Sequence, residues 1–223
     1  MQFDLVTLLI LALAPGLFWL WYFYHRDRYA HEPLYWIIWI FLLGMTITVP
    51  VAILEDLVGA ALPDPYLAVF AAPVIEELAK FLVVWRTVFR TQDFDEPVDG
   101  MVYATAAGLG FATLENVGYI FLSYESSFPD ALGTGVLRAL LSVPAHALFS
   151  AIWGYALGMA RFSPPDAGRR LILQGLVAAM VFHGLFNLLL LDYAGIAVLV
   201  LFLIPLLWWL VNRDFSRALG RFR

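Results

Sequence analysis

The chain has 223 residues, of which 62% are hydrophobic and 14% are charged, and its mean hydropathy is +0.82. This composition excludes a water-soluble globular protein and predicts a polytopic membrane protein. The net charge of −5 and the small number of basic residues argue against nucleic-acid binding. Cysteine is absent, which excludes a disulfide framework, a thiolate metal site and a cysteine nucleophile.

Seven apolar stretches are long enough, or nearly so, to cross a hydrocarbon layer as helices, which takes about 20 residues each. In chain order the predicted spans are 3–24, 35–57, 67–88, 100–122, 136–159, 171–191 and 195–211. No long soluble segment, repeat or low-complexity tract separates them. The sequence therefore predicts an all-α transmembrane helical bundle, a single integral-membrane domain over 1–223 with its motif-bearing core at about 67–191.

The distribution of charge predicts the orientation, because Lys and Arg concentrate in cytoplasmic connections. Basic residues follow the first, third, fifth and seventh spans: Arg26, Arg28, Arg86, Arg90, Arg161, Arg169, Arg170, Arg213, Arg217, Arg221 and Arg223. The alternate connections are acidic, with Glu55, Asp56, Asp64, Glu125, Asp130 and Asp192, and only Arg138 is near that side. We therefore expect a multi-pass protein of the plasma membrane with its N-terminus outside and its C-terminus in the cytoplasm.

Ionisable side chains lie inside four of these apolar spans: Glu76, Glu77, Glu115, His146 and His183. An ionised residue near the bilayer centre costs about 2.5 to 3.5 kcal/mol, so such residues must pair, exchange a proton or face water. At about 1.5 Å per helical residue, all of them lie roughly 10 to 15 Å beneath the outer surface. Successive helices run in opposite directions, so this agreement in depth predicts a single hydrated layer of chemistry that opens outward.

Helical spacing suggests partners within each span. Glu76 and Lys80 are four residues apart and Glu77 is three from the same lysine, so the three share a face. His183 and Asn187, also four apart, form a face able to stabilise an oxyanion or to provide one metal ligand and its neighbour. Two further pairs are possible hydrogen-bonding partners one turn apart: His146 with Ser150, and Glu115 with Tyr119.

Four motifs, in order along the chain, resemble those of PrsW-type intramembrane proteases. They are PVIEELAKF at 73–81, GLGFATLENVGY at 108–119, AHALFSAIWGYALG at 145–158 and FHGLFN at 182–187. That group is similar in turn to the CAAX prenyl endopeptidase and bacteriocin-processing superfamily. The resemblance extends from the third span to the sixth, more than half of the chain. The EExxK spacing to Lys80 favours the PrsW branch over the EExxxR of the broader superfamily.

The resemblance implies hydrolysis of peptide bonds in membrane-anchored substrates, such as regulators of the anti-sigma-factor type. It implies that Glu76 activates water and that Glu77 and Lys80 support it. His146 and His183 would complete the site, and Asn187 would help to stabilise the oxyanion. Glu115 matches the second acidic motif, as either a ligand or a second base.

Two chemistries satisfy these residues. In a metal-free mechanism a glutamate deprotonates water with histidine assistance, while imidazole and amide groups hold the oxyanion. In the other mechanism His146, His183 and a carboxylate such as Glu115 bind one divalent metal, zinc. The HExxH signature is absent, so a zinc site would have to be assembled from several helices. The sequence leaves both chemistries open.

Two other classes of protein also fit parts of the pattern. A proton- or cation-coupled transporter uses Glu, Lys and His inside membrane helices, although the chain has no internal repeat and little ionisable lining toward the cytoplasm. A scaffold that binds partner helices would use small-residue faces, such as Ala104, Gly108 and Ala112 with Gly154 and Gly158. Such a scaffold gains nothing from unneutralised carboxylates, so we expect an enzyme.

Overall fold

The computed structural model describes residues 2–62 and 64–220. Arg221 and Arg223 of the predicted cytoplasmic cluster lie outside them. Every regular element within the described part of the chain is helical. In chain order these are α1 (Gln2–Tyr24), α2 (Leu34–Ala61), α3 (Pro65–Thr87), α4 (Pro97–Tyr124), α5 (Phe128–Leu137), α6 (Val143–Arg161), α7 (Pro165–Leu189), α8 (Tyr193–Val198) and α9 (Ile204–Gly220).

Five described segments are long and apolar enough to cross a membrane by composition alone. They are Leu5–Tyr24, Leu34–Ala61, Phe128–Arg161, Pro165–Leu189 and Tyr193–Gly220. The third and fourth predicted spans, helices α3 and α4, are not among them. The physical reason is that α3 carries the charged motif and α4 is buried over most of its length, so neither has to be uniformly apolar.

Helix α4 is the centre of the bundle and packs against α6, α2 and α1. Glycines allow its backbone to approach its neighbours closely. A Cβ on Gly154 of α6 would lie 2.6 Å from the Cβ of Ala104, and one on Gly44 of α2 would lie 3.0 Å from the carbonyl carbon of Ala107. Side chains at these positions would force the helices apart, so the small-residue faces are packing surfaces.

Every second connection between the predicted spans lies at the same end of the bundle. Trp36 Nε1, at the start of α2, donates to Asp93 Oδ2 at 2.9 Å, which ties the connection before α2 to the connection after α3. The guanidinium of Arg161, at the end of α6, lies 5.8 Å from the Phe89 ring centre. The guanidinium of Arg26 lies 5.0 Å from an α9 phenylalanine ring. The basic residues of these connections therefore gather on one side.

Three buried carboxylates also lie at this end. The oxygens of Asp27, Glu32 and Asp99 are within 4.8 Å of one another. The hydroxyl of Tyr103 donates to Glu32, and Asp99 accepts hydrogen bonds from two backbone amides that precede α4. Burial, together with the neighbouring Asp99, raises the pKa of Glu32 above its ordinary value of 4.5.

A π-helical turn joins α5 to α6 over Arg138–Ser142, and a second joins α8 to α9 over Leu199–Leu203. Each ends two residues before a proline, Pro144 or Pro205. Because proline has no N–H to donate, the α-helical hydrogen bonds cannot continue regularly past it. In the turn before each proline the backbone bonds are π-helical, between residues five apart. The first of these turns matters for the site, since both of its end residues line the central cavity.

Candidate active site

A cavity of about 330 Å³ opens among α2, α3, α4, the first π-helical turn, α6 and α7. Five of the six side chains predicted as catalytic line it: Glu76, Glu115, His146, His183 and Asn187. The sixth, Glu77, lies directly behind this wall and is fully buried. The motifs of four separate helices therefore converge on one small polar cavity within an otherwise apolar bundle.

Lys80 holds the inner wall together. Its ammonium group is fully buried and lies 2.8 Å from Glu76 Oε2, 2.8 Å from Glu77 Oε1 and 3.0 Å from His146 Nδ1. The aromatic ring of Phe111 lies 4.2 Å from the same nitrogen. All three ammonium protons are thus directed at acceptors from two helices, and the cation compensates two carboxylates that burial would otherwise destabilise.

Glu77 is held from three sides. Oε1 accepts from Lys80 and from His183 Nδ1 at 3.0 Å, and Oε2 accepts from Trp153 Nε1 at 2.9 Å. A carboxylate only accepts, so His183 must donate from Nδ1 and, in the neutral ring, keeps its Nε2 lone pair free. The Phe149 ring stacks on that imidazole with centres 4.6 Å apart and fixes its plane. His183 Nε2 then lies 3.9 Å from Glu76 Oε1.

His146 has the opposite tautomer. Its Nδ1 faces an ammonium, which can only donate, so Nδ1 accepts and the proton resides on Nε2. This Nε2 lies 3.1 Å from Glu115 Oε2. Ser150, the expected partner one turn away, does not bond to His146. Its hydroxyl has no hydrogen-bond partner within the described residues and packs beside Gly108, where α4 and α6 are in close contact.

Arg138 also lines the cavity, although its place in the sequence predicts only a basic charge near the outer side. Its guanidinium donates to Glu115 Oε2 at 2.5 Å and to Asn116 Oδ1 at 2.6 Å. Tyr119, the expected hydrogen-bonding partner of Glu115, instead places its ring 4.3 Å from the Arg138 guanidinium. No local spacing signals this contact, since Arg138 lies more than 20 residues from its acceptors.

Glu55 and Trp153 are two further contributors that the sequence motifs do not indicate. The charge pattern predicts Glu55 in an outer connection, but α2 continues to Ala61 and carries it into the cavity wall. Trp153 belongs to the third motif, yet an aromatic side chain on a membrane helix is usually core or an interface anchor. Its indole N–H is the only available signal, since a buried one requires an acceptor.

The donor groups fit a divalent metal. Glu76, Glu77, His146 and His183 each offer one ligand atom, and these atoms lie within 4.8 Å of one another. Imidazole nitrogens with carboxylate oxygens are the ligands of catalytic zinc sites, and a carboxylate behind a ligating histidine is their usual orienting group. This group differs from the ligand set expected from sequence, because Glu77 and Glu76 take the place of Glu115, which pairs with Arg138.

An all-helical membrane bundle with a buried centre of carboxylates and imidazoles is the arrangement expected of an intramembrane hydrolase. The family described as PrsW family intramembrane metalloprotease matches residues 32–210, and the chain belongs to this family. It is therefore a membrane-embedded peptide-bond hydrolase, multi-pass in the plasma membrane. The family description is compatible with a divalent metal at the site.

Curated relatives agree over nearly the whole chain. Protease PrsW of Geobacillus kaustophilus is 34% identical over 96% of this chain and 93% of the relative. The proteins of the same name from Clostridioides difficile and Bacillus subtilis are each 31% identical, over 96% and 93% of this chain and 90% and 93% of their own lengths. No solved structure matches the chain.

Proposed function

We propose that the chain is an intramembrane endopeptidase in which Glu76 is the base that activates water for attack on a peptide bond. The observation that carries this proposal is the contrast between the two adjacent glutamates. Glu76 lines the cavity, and its Oε2 accepts a hydrogen bond from Lys80. Its other oxygen, Oε1, is directed toward His183 Nε2. Glu77 is fully buried behind the cavity wall, where its two oxygens accept from Lys80, His183 and Trp153.

In this mechanism Glu77 is a positioning residue. It fixes the tautomer of His183, so that Nε2 presents a lone pair 3.9 Å from Glu76 Oε1. A water held between these two atoms would be a hydrogen bond away from each. Asn187, which lines the same cavity, offers an amide N–H to the developing oxyanion, and the His146 Nε2 proton is available once Glu115 releases it.

A resident divalent metal, zinc by donor type, would be held by His183 and His146, with Glu76 kept beside it as the base. When bound, it supplies Lewis-acid polarisation of the scissile carbonyl and of water. The charge balance supports a cation, because the acidic groups in and behind the cavity wall, Glu55, Glu76, Glu77 and Glu115, outnumber the Lys80 and Arg138 cations by two. His146 has both nitrogens engaged by protein groups, so its participation requires that Lys80 or Glu115 give way.

We further propose that the chain crosses the membrane seven times. Helices α3 and α4 have 23 and 28 residues, or about 35 and 42 Å of helix, long enough to cross although they are less apolar than the other five segments. The gathering of alternate connections and of their basic residues at one end supports this count. It also supports an external N-terminus and a cytoplasmic C-terminus, with the catalytic cavity toward the outer leaflet. The substrate would be a membrane-anchored protein cut near that surface.

Cleavage by purified protein in liposomes, with a panel of single-span substrates, tests the assignment. Glu76→Gln keeps the volume and one hydrogen-bond acceptor but removes the base, so we expect kcat to fall about 100- to 10,000-fold. Glu77→Gln should reduce activity or metal affinity about 10- to 100-fold by releasing His183. Glu125→Gln, an exposed acid outside the cavity, is the matched control and should cleave normally.

Thermal unfolding of each variant must accompany these assays, so that loss of base and loss of fold are separated. Cleavage that survives Glu76→Gln in a folded protein contradicts the proposal. Metal analysis of the same samples should find about one divalent metal per chain in the wild type, and a chelator should abolish cleavage. Full activity in metal-free protein would leave Glu76 as base and remove the metal from the mechanism.

A further inference from the structure

A second concavity lies on the lipid-facing side of the bundle, between α2 and α4. It is a groove of about 640 Å³, hereafter the α2–α4 groove. From α4 it is lined by residues 111, 114, 115, 118, 119 and 122, which follow one face of the helix at intervals of three and four. This stripe extends over 12 residues, or about 16 Å from end to end and three helical turns. A groove of this length matches a helix rather than a loop or a single side chain.

The shape of the groove follows from the glycines of the two helices. Gly44 and Gly110 bring α2 and α4 into backbone contact at one level. Two turns further along α4, a Cβ on Gly118 would meet no atom within 4 Å. The two helices therefore touch at the lower end and leave an open cleft at the upper end, beside Glu115.

The walls of the groove face the membrane. Val49 is 53% exposed, Ile53 58% and Leu122 64%. In a protein of the plasma membrane these surfaces contact hydrocarbon, so an occupant arrives by lateral diffusion in the bilayer. An apolar helix can replace lipid there without desolvation of polar groups.

The groove adjoins the catalytic cavity. Glu55, Glu115 and Tyr119 line both, so the partition between them consists of three polar side chains and not of packed apolar ones. Glu55 Oε1 is buried and has no hydrogen-bond partner within the described residues, and Asp56 lies beside it in the groove. An unpaired buried acceptor at this junction is costly unless a binding partner supplies a donor.

We infer that the α2–α4 groove is the docking site for the transmembrane helix of the substrate and that Glu55 receives a basic side chain next to the scissile bond. This inference rests on the proposed protease function and defines its substrate class: a single-span protein with Lys or Arg at the outer end of its span. The helix lies along the stripe on α4, and its end unwinds past Glu55 into the cavity that contains Glu76.

Filling the groove tests the docking site. Gly118→Trp places an indole in open space, so the fold should be retained, while Gly133→Trp adds the same group at an exposed α5 position that is equally open. Two substrates are compared, a single-span protein and a short soluble peptide with the same scissile bond. We expect Gly118→Trp to lower kcat/KM for the single-span substrate at least tenfold and for the peptide less than twofold, and Gly133→Trp to change neither.

Equal effects of Gly118→Trp on both substrates, or no effect on either, would overturn the inference. The basic residue is tested separately, with single-span substrates that have Lys or Gln beside the cut site. Wild-type protein should prefer Lys about tenfold, and Glu55→Gln should remove this preference while Glu125→Gln retains it. A preference that persists in Glu55→Gln shows that the cation is recognised elsewhere.

Photo-crosslinking decides the question independently of catalysis. A photoreactive amino acid at Ile53, in a Glu76→Gln background, should crosslink the span of an intact substrate, and the same probe at lipid-exposed Leu201 should not. Crosslinking at Ile53 only to lipid or to a second copy of this chain would refute docking of the substrate. If the wild type cleaves no substrate but Ile53 crosslinks one, the hydrolase assignment fails and the groove assignment stands.

Discussion

Removal of the Lys80 ammonium, in a Lys80→Met variant, should be among the most destabilising single changes in the bundle. The group is fully buried and donates to Glu76, Glu77 and His146. Methionine fills much of the same space, so the change isolates the loss of charge and of three hydrogen bonds. The carboxylates of Glu76 and Glu77 would then remain buried without the cation that they share.

The loss in free energy of unfolding can be worked out in two ways, and both give the same magnitude. Breaking a buried ion pair by removal of one partner costs about 3 to 5 kcal/mol. Alternatively, the folded variant can take up one proton, and protonating a carboxyl of ordinary pKa near 4.3 costs about 4 kcal/mol at pH 7 and about 1 kcal/mol at pH 5. We therefore expect a loss of about 3 to 5 kcal/mol at neutral pH that shrinks toward about 1 kcal/mol as the pH approaches 5.

Equilibrium unfolding in mixed micelles, followed by circular dichroism at several pH values, measures this loss. Leu82→Met is the matched control, since Leu82 lies on the same helix and is 47% exposed toward lipid. Adding Glu77→Gln to Lys80→Met should recover part of the stability, because one uncompensated charge is then removed. A loss below about 1 kcal/mol, or one that does not vary with pH, would refute the assignment of Lys80 as the counter-ion of both glutamates.

Three further outcomes are expected. Arg138→Met should lower stability by about 1 to 3 kcal/mol and reduce cleavage, since it frees Glu115, and restored activity on simultaneous Glu115→Gln would show that the pair acts as a unit. Gly154→Val should cost about 1 to 3 kcal/mol in unfolding experiments, because its Cβ would lie 2.6 Å from another Cβ. The raised pKa of Glu32 means that the folded state binds its proton more tightly, so stability falls as the pH rises above about 4.5. Glu32→Gln should flatten this dependence in thermal unfolding between about pH 6 and about pH 8.5, whereas the exposed Glu125→Gln should not.

Much of the architecture follows from local patterns. Apolar length predicts the helices, and α1, α2 and α7 begin or end within a few residues of their expected positions except where α2 continues to Ala61. Depth along each helix places the ionisable residues in one layer, and the structure has Glu76, His146 and His183 around one cavity. Both inferences use only helical periodicity and rise, which are fixed by backbone geometry.

The missed contributors depend on contacts between distant parts of the chain. Arg138 and Glu55 were interpreted as charges of the outer side, because sequence alone does not distinguish a loop residue from the last turns of a helix. The order of helices around α4 decides which partners they meet. The same applies to Trp153, whose role depends on the placement of Glu77 on another helix.

The π-helical turn between α5 and α6 has a consequence for how this enzyme tolerates length changes. It accommodates one residue more than an α-helical turn within a single wider turn, so the helix on either side keeps nearly the rotation it would have in a regular α-helix one residue shorter. Deletion of lipid-exposed Leu140 would therefore restore regular α-helix and leave Arg138 on the same face relative to His146. A gap of one residue, usually ruinous in a buried helix, would be absorbed at this point, and the ion pair of Arg138 with Glu115 would survive it.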